Sequence, residues 1–153
     1  MSGKIEIKTR PFAIADYEAA IELWKKVEGL DVAEGDDRET IRRFLERNRE
    51  LSRVALVSGT IVGAVLCGHD GRRGYIYHLA INPAYQGLGI AKRLISECLE
   101  GLKRAGLERV NILVAKDNPR GLEFWRRTGW EDLDGAAAMG RDTEEKPKLD
   151  SRK

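Results

Sequence analysis

The hydrophobic positions change their period several times along the chain, and each change marks an element. Ile5, Ile7 and Thr9 alternate with charged residues, which predicts a first strand ended by Pro11. Ile14, Tyr17, Ile21, Leu23, Trp24 and Val27 follow a helical stripe instead, with Asp16 near its start and Gly29 as its stop. A second helix, carried by Ile41, Phe44 and Leu45, is predicted over residues 36–49. Residues 54–57 and 61–67 are β-rich runs joined by Ser58, Gly59 and Thr60, a hairpin signature. Residues 75–82 form another strand, which Pro83 stops because proline cannot donate to a ladder.

The longest helix presents Ile90, Leu94, Ile95, Cys98, Leu99 and Leu102 on one face and ends at Gly106. Residues 110–114 read as a β-branched strand. Asn118 and Pro119 are then the N-cap and first turn of a fourth helix ending near Gly129. Residues 130–139 are expected to hold two short terminal strands. This order predicts an α/β chain of the mixed α+β kind, with a central mixed sheet flanked by about four helices and two late strand-helix crossovers.

Composition narrows the functional classes. The 153 residues suit one domain, expected over residues 1–140. In residues 141–153, nine of thirteen are charged, which predicts a disordered tail. Charged residues make up 34%, yet 27 basic against 25 acidic residues leave only +2. No nucleic-acid partner is expected from so balanced a surface. The apolar run 61–67 falls far short of the ~20 residues that cross a bilayer, so no membrane partner is expected either. Charged and apolar residues alternate over residues 1–10 without a secretory pattern, and a cytoplasmic location follows. Cys67 and Cys98 are too sparse for a metal site and read as buried hydrophobes.

Chemistry concentrates where a strand gives way to the longest helix. Gln86-Gly87-Leu88-Gly89-Ile90-Ala91 lies where unpaired N–H groups and the helix dipole favour an anion, and two glycines let a phosphate approach the backbone. A dinucleotide fingerprint needs a small residue where Lys92 stands, and a P-loop needs Gly-Lys-Ser/Thr; both motifs fail.

The turn does match the Gln/Arg-x-x-Gly-x-Gly/Ala pattern of the GNAT family of N-acetyltransferases, and the chain resembles that family over residues 5–139. Leu79-Ala80-Ile81-Asn82-Pro83 is similar to its fourth strand, and Asn118 with Gly121, Gly129 and Trp130 to its Asn-x-x-Ala…Gly-Phe helix. Gly68 to Gly74, a Gly-His-Asp-Gly-Arg-Arg-Gly hairpin, resembles the small bacterial single-domain members. The resemblance implies a GNAT-like fold and acetyl-CoA as co-substrate, with no metal. It implies that the N–H groups of Gly87 to Ala91 hold the coenzyme A diphosphate. It further implies that the backbone of Leu79, Ala80 and Ile81 pairs with the pantetheine arm, with an N–H from Leu79 directed at the thioester oxygen. Asn118 is expected to bond the pantetheine, to cap its helix, or both.

The same resemblance exposes two departures. Positions that hold Glu or His in many relatives hold Tyr75 and Tyr77 here, and a phenol of pKa near ~10 is a poor base at neutral pH. A water chain past these two residues is expected instead. The tyrosine seven positions after the Asn is Trp125, so Tyr77, Tyr75 or water protonates the thiolate, or it leaves unassisted. Strand parity puts His78 on the face opposite Tyr75 and Tyr77, packed against a helix, and leaves His69 in a solvated loop.

For the acceptor, Asp31, Glu34, Asp36 and Asp37 form an acidic loop where the family builds its acceptor wall. That loop is either a solvated cap of the second helix or, with Asp31 and Glu34 as acceptor-side candidates, a collector of cationic amines. The expected activity is direct acetyl transfer from acetyl-CoA to a small-molecule or peptide primary amine in a ternary complex, by a monomer or homodimer. The competing reading is a non-catalytic acyl-CoA sensor; a partner-binding adaptor using the acidic loop is a third.

Overall fold

A computed structural model describes residues 4–27, 30 and 32–144. The expected helix stop Gly29, the acceptor-side candidate Asp31 and the tail beyond residue 144 lie outside the described residues. The strands are β1 (Lys8–Pro11), β2 (Arg53–Val57), β3 (Thr60–His69), β4 (Gly74–Ile81) and β5 (Val110–Ile112). They form one sheet in the order β1-β2-β3-β4-β5. The first four are antiparallel, and β5 joins β4 in parallel. The helices are α1 (Tyr17–Lys26), α2 (Arg38–Arg47), α3 (Ile90–Arg104) and α4 (Pro119–Arg127). The expected mixed sheet with four helices is what the chain forms.

Each face of the sheet has its own core. Trp24 and Leu23 of α1 and Ile41 of α2 meet Val54, Ala64, Leu66 and Ala80 on one side. Leu94, Cys98 and Leu102 of α3 meet Ala55, Val65, Cys67 and Ile76 on the other, with Phe124 and Trp125 of α4 packed beside them. Both cysteines are buried free thiols, as their apolar surroundings predict. Arg10 of β1 grips Asp16 in a two-pronged pair at 2.7 and 2.9 Å and thereby ties the sheet edge to the start of α1. Asp37 caps α2 by accepting the Thr40 N–H at 3.1 Å, which is the capping half of the acidic-loop expectation.

Several expectations fail, three of them as follows. The first strand begins at Lys8 instead of Ile5, because β2 supplies partners only from Leu56 back to Arg53. The terminal strands expected in residues 130–139 do not form. Gly135-Ala136-Ala137-Ala138 offers little side chain to bury, Met139 is 95% exposed, and the Ala136 N–H makes a turn bond to Leu133 rather than a ladder bond. The third failure is the strand parity of β4. Pairing with β3 runs Ala64↔Ala80 and then Leu66↔Tyr77, so His78 and Leu79 together oppose Val65. His78 takes φ +53, and this bulge resets the alternation. Tyr77 and His78 therefore share the α1/α2 face, where they meet Phe44 and Trp24, while Leu79 turns to the α3 side.

Candidate active site

Parallel pairing between β4 and β5 stops at Ile76↔Ile112. Past that point the β5-facing edge of β4 has no strand partner, and the two strands diverge around a cleft of about 990 Å³. His78, Leu79 and Ile81 line it from β4, Ile112 from β5, and Asn118, Phe124 and Trp125 from the α4 end. Its far wall is the glycine turn, with Gln86, Gly87, Gly89, Ile90 and Ala91. Eight of the residues proposed from sequence as cofactor-binding are thus brought together: Leu79, Ile81, Gln86, Gly87, Gly89, Ile90, Ala91 and Asn118. Ala80 is instead buried in the α1/α2 core, and Leu88 is exposed beside the turn.

The turn leaves the start of α3 without a side-chain cap. Gly87 and Gly89 sit at φ +83 and +81, a region other residues enter at a cost, and a Cβ on either would meet nothing within 4 Å. Gly89 is the N-cap of α3 with no side chain to fill the capping role, and the first turn holds no acidic residue. The first bond of the helix runs from Arg93 N–H to Gly89 C=O at 3.1 Å. The N–H groups of Ile90, Ala91 and Lys92 therefore have no intrahelical acceptor and are open to a diphosphate. Lys92, Arg120 and Arg127 add positive charge to the same cleft, against the single carboxylate of Glu123. These residues fit a coenzyme A diphosphate, and the unpaired edge of β4 fits an extended amide-bearing arm.

Asn118 performs the capping half of its expected roles. Its Oδ1 accepts the Gly121 N–H at 3.1 Å, and Pro119 follows as the first helical residue. A Cβ on Gly121 would collide with the Asn118 side chain in its capping rotamer. Among the described residues its amide nitrogen has no acceptor. Asn118→Ala should therefore weaken coenzyme A binding severalfold beyond its capping loss of ~1 kcal/mol in stability, read by titration calorimetry and thermal melting on the same variant. A lower melting temperature with unchanged affinity would leave only the cap.

The two tyrosines stand outside the cleft lining. Their rings stack at 5.9 Å, and Tyr77 meets Phe44 edge-on at 6.1 Å. Burial, with the nearby Tyr75, Asp70 and Cys67, pushes the Tyr77 phenol above its ordinary range, which weakens it further as a neutral-pH proton carrier. Trp125 is wedged edge-on between Phe124 and Trp130 at 5.4 and 5.1 Å. His69 accepts the Gly71 N–H within its own hairpin.

The residue that parity turned away is the imidazole that lines the cleft. His78 Nε2 lies 3.0 Å from both carboxylate oxygens of Asp36, and its ring rests 4.9 Å from that of Trp24. Asp36 is therefore an inward-facing member of the acidic loop, whereas Glu34 is exposed and outside the cleft. Among the described residues no group of three or more His, Cys, Asp or Glu side chains is placed to hold a metal ion. No helix among them is long and apolar enough to cross a membrane.

Residues 16–130 match the sequence profile of the acetyltransferase (GNAT) family. An acetyltransferase of Sodalis glossinidius is 33% identical over 135 residues, covering 88% of this chain and 94% of its own. The PaiA N-acetyltransferase of Thermoplasma acidophilum, solved with coenzyme A, aligns with a TM-score of 0.70 at 21% identity, over 82% of this chain and 90% of that one. An aminoglycoside N-acetyltransferase solved with CoA aligns with a TM-score of 0.71 at 14% identity, over 94% and 99%. At these identities the two structures speak for the fold.

Proposed function

Since this chain belongs to the acetyltransferase (GNAT) family, we propose that it moves the acetyl group of acetyl-CoA directly onto a primary amine in a ternary complex. The observation that carries this reading is the split between β4 and β5, with an unpaired strand edge at one end and an uncapped helix N-terminus at the other. In it, the N–H groups of Ile90, Ala91 and Lys92 hold the diphosphate, and the edge of Leu79, Ala80 and Ile81 orients the arm. Bound acetyl-CoA supplies an activated acyl group with a thiolate leaving group. The Leu79 N–H is the donor proposed for the thioester oxygen; such a preorganised group is worth roughly a hundred- to a thousand-fold in rate.

The acceptor class follows from proton chemistry. At pH 7.5 a lysine amine of pKa ~10.4 must lose its proton at about 4 kcal/mol, whereas an α-amine near ~7.8 needs about 0.5. Small amino compounds and peptide N-termini are therefore the acceptors proposed over lysine side chains. Glu34 at the tip of the α1–α2 loop, and Asp31 beside it in sequence, are the groups proposed to gather a cationic acceptor. The cytoplasm is the proposed compartment, which two unpaired thiols suit.

Initial rates at varied amine and several fixed acetyl-CoA concentrations test the ternary complex. Intersecting reciprocal plots are expected. Parallel plots would mark an acetylated protein intermediate and overturn direct transfer.

A further inference from the structure

Direct transfer needs a group that takes a proton from the acceptor ammonium, and Tyr75 and Tyr77 do not line the cleft where that transfer is proposed to occur. We propose that His78, held by Asp36, is this base. The assignment rests on the acetyltransferase reading above and adds to it the residue that reading lacks.

Backbone geometry is the first support. His78 is a non-glycine residue at φ +53 inside a strand, a conformation that costs on the order of 1–3 kcal/mol and persists only where its surroundings enforce it. The bulge carries the imidazole out of the regular alternation and onto the cleft wall, one residue before Leu79. Counted from Tyr77, even alternation would have put the ring on the α3 face instead.

The second support is the tautomer that Asp36 selects. A carboxylate only accepts, so with both its oxygens at 3.0 Å the Nε2 of His78 carries the hydrogen and donates it. Nδ1 is then left with its lone pair, and it has no protein partner among the described residues. Asp36 is itself fixed: its Oδ2 accepts the Ala33 N–H at 2.9 Å, and its main-chain oxygen accepts the Tyr17 hydroxyl at 2.6 Å. Asp36 is thus a positioning residue, and His78 is the group that meets the acceptor.

Few other charges face this imidazole. From α1 come the neutral Trp24 and, on the same cleft, Lys26; from the α1–α2 loop comes Asp36, with Tyr17 bonded behind it. On β4 the neighbouring titratable side chain is Tyr77, and the facing stretch of β3 is Ala64, Val65 and Leu66.

Nδ1 takes one proton from the acceptor ammonium, whose nitrogen keeps the bonding pair. That pair forms the new bond to the acetyl carbon as the carbon–sulfur bond breaks and sulfur leaves with its electrons. The second nitrogen proton reaches the thiolate through water, and His78 returns the first to solvent. One amide, one thiol and one proton result from one ammonium and one thioester.

The test uses His78→Asn, because asparagine tolerates positive φ and keeps the bulge while removing the base. Coenzyme A affinity should stay within about threefold. For a low-pKa amine, kcat/KM at pH 7 should fall about 100-fold or more, and the deficit relative to wild type should narrow as pH rises. Asp36→Asn should fall less. An independent readout is the nitrogen spectrum of ¹⁵N-histidine-labelled free protein, where neutral His78 should show Nε2–H and a bare Nδ1, and a tautomer mixture in Asp36→Asn. A His78→Asn variant that retains more than a third of wild-type kcat/KM overturns the base while leaving the acetyltransferase reading standing, as does an Nδ1–H tautomer. Wild-type protein that acetylates no amine overturns both.

Discussion

Gly89→Glu should abolish coenzyme A binding in a protein that stays folded. At φ +81 the substitution carries a left-handed backbone penalty of about 1–2 kcal/mol, but a Cβ there meets nothing within 4 Å, so no core contact is lost. The new carboxylate enters the first turn of α3, which holds no acidic residue and whose N–H groups have no intrahelical acceptor. It competes for those donors and repels a diphosphate. Titration calorimetry should show affinity weakened at least about 100-fold, with a melting temperature only a few degrees lower. Gly89→Ala, which brings the same backbone cost without the charge, should lose far less. Equal affinities for Gly89→Glu and wild type would remove the glycine turn from cofactor binding.

Trp24→Ala should be the most destabilising of the single substitutions considered, at about 3–5 kcal/mol, read by chemical denaturation. The indole is fully buried beneath the sheet, 6.2 Å from the ring of Phe12 and 4.9 Å from that of His78. Removing it opens a cavity between α1 and β4 and takes away the surface against which the imidazole rests. A loss of that size is a large part of the roughly 5–15 kcal/mol that holds a domain folded. Trp24→Phe should cost less, because it also deletes an indole N–H that is buried without a partner among the described residues. Such a group costs about 1–3 kcal/mol to bury. A Trp24→Ala loss under about 1 kcal/mol would mean that the α1/α2 core is far looser than its burial implies.

The elements that the sequence made legible are those whose signals are local. Asn118-Pro119 announces the start of α4 because cap and first turn are adjacent residues, and the cap is observed at Gly121. The glycine turn is legible because no other residue enters its two positive-φ positions cheaply. The β4 bulge was not legible, since period-two parity assumes even pairing and the extra residue is defined only against Val65 on another strand. His78 was misplaced for that reason alone. Residues 113 and 114 read as strand by composition, but β5 ends at Ile112 once β4 turns from it, and Leu113 is left 78% exposed.

The most direct measurement is simultaneous quantification of free thiol and N-acetylated product when the protein is incubated with acetyl-CoA and a panel of α-amines and lysine-type amines. The account predicts one acetylated amine for each thiol released, with α-amines ahead of lysine side chains at pH 7.5. A protein that binds coenzyme A through the glycine turn yet releases thiol no faster with any amine than without would contradict it, and would mark an acyl-CoA sensor in its place.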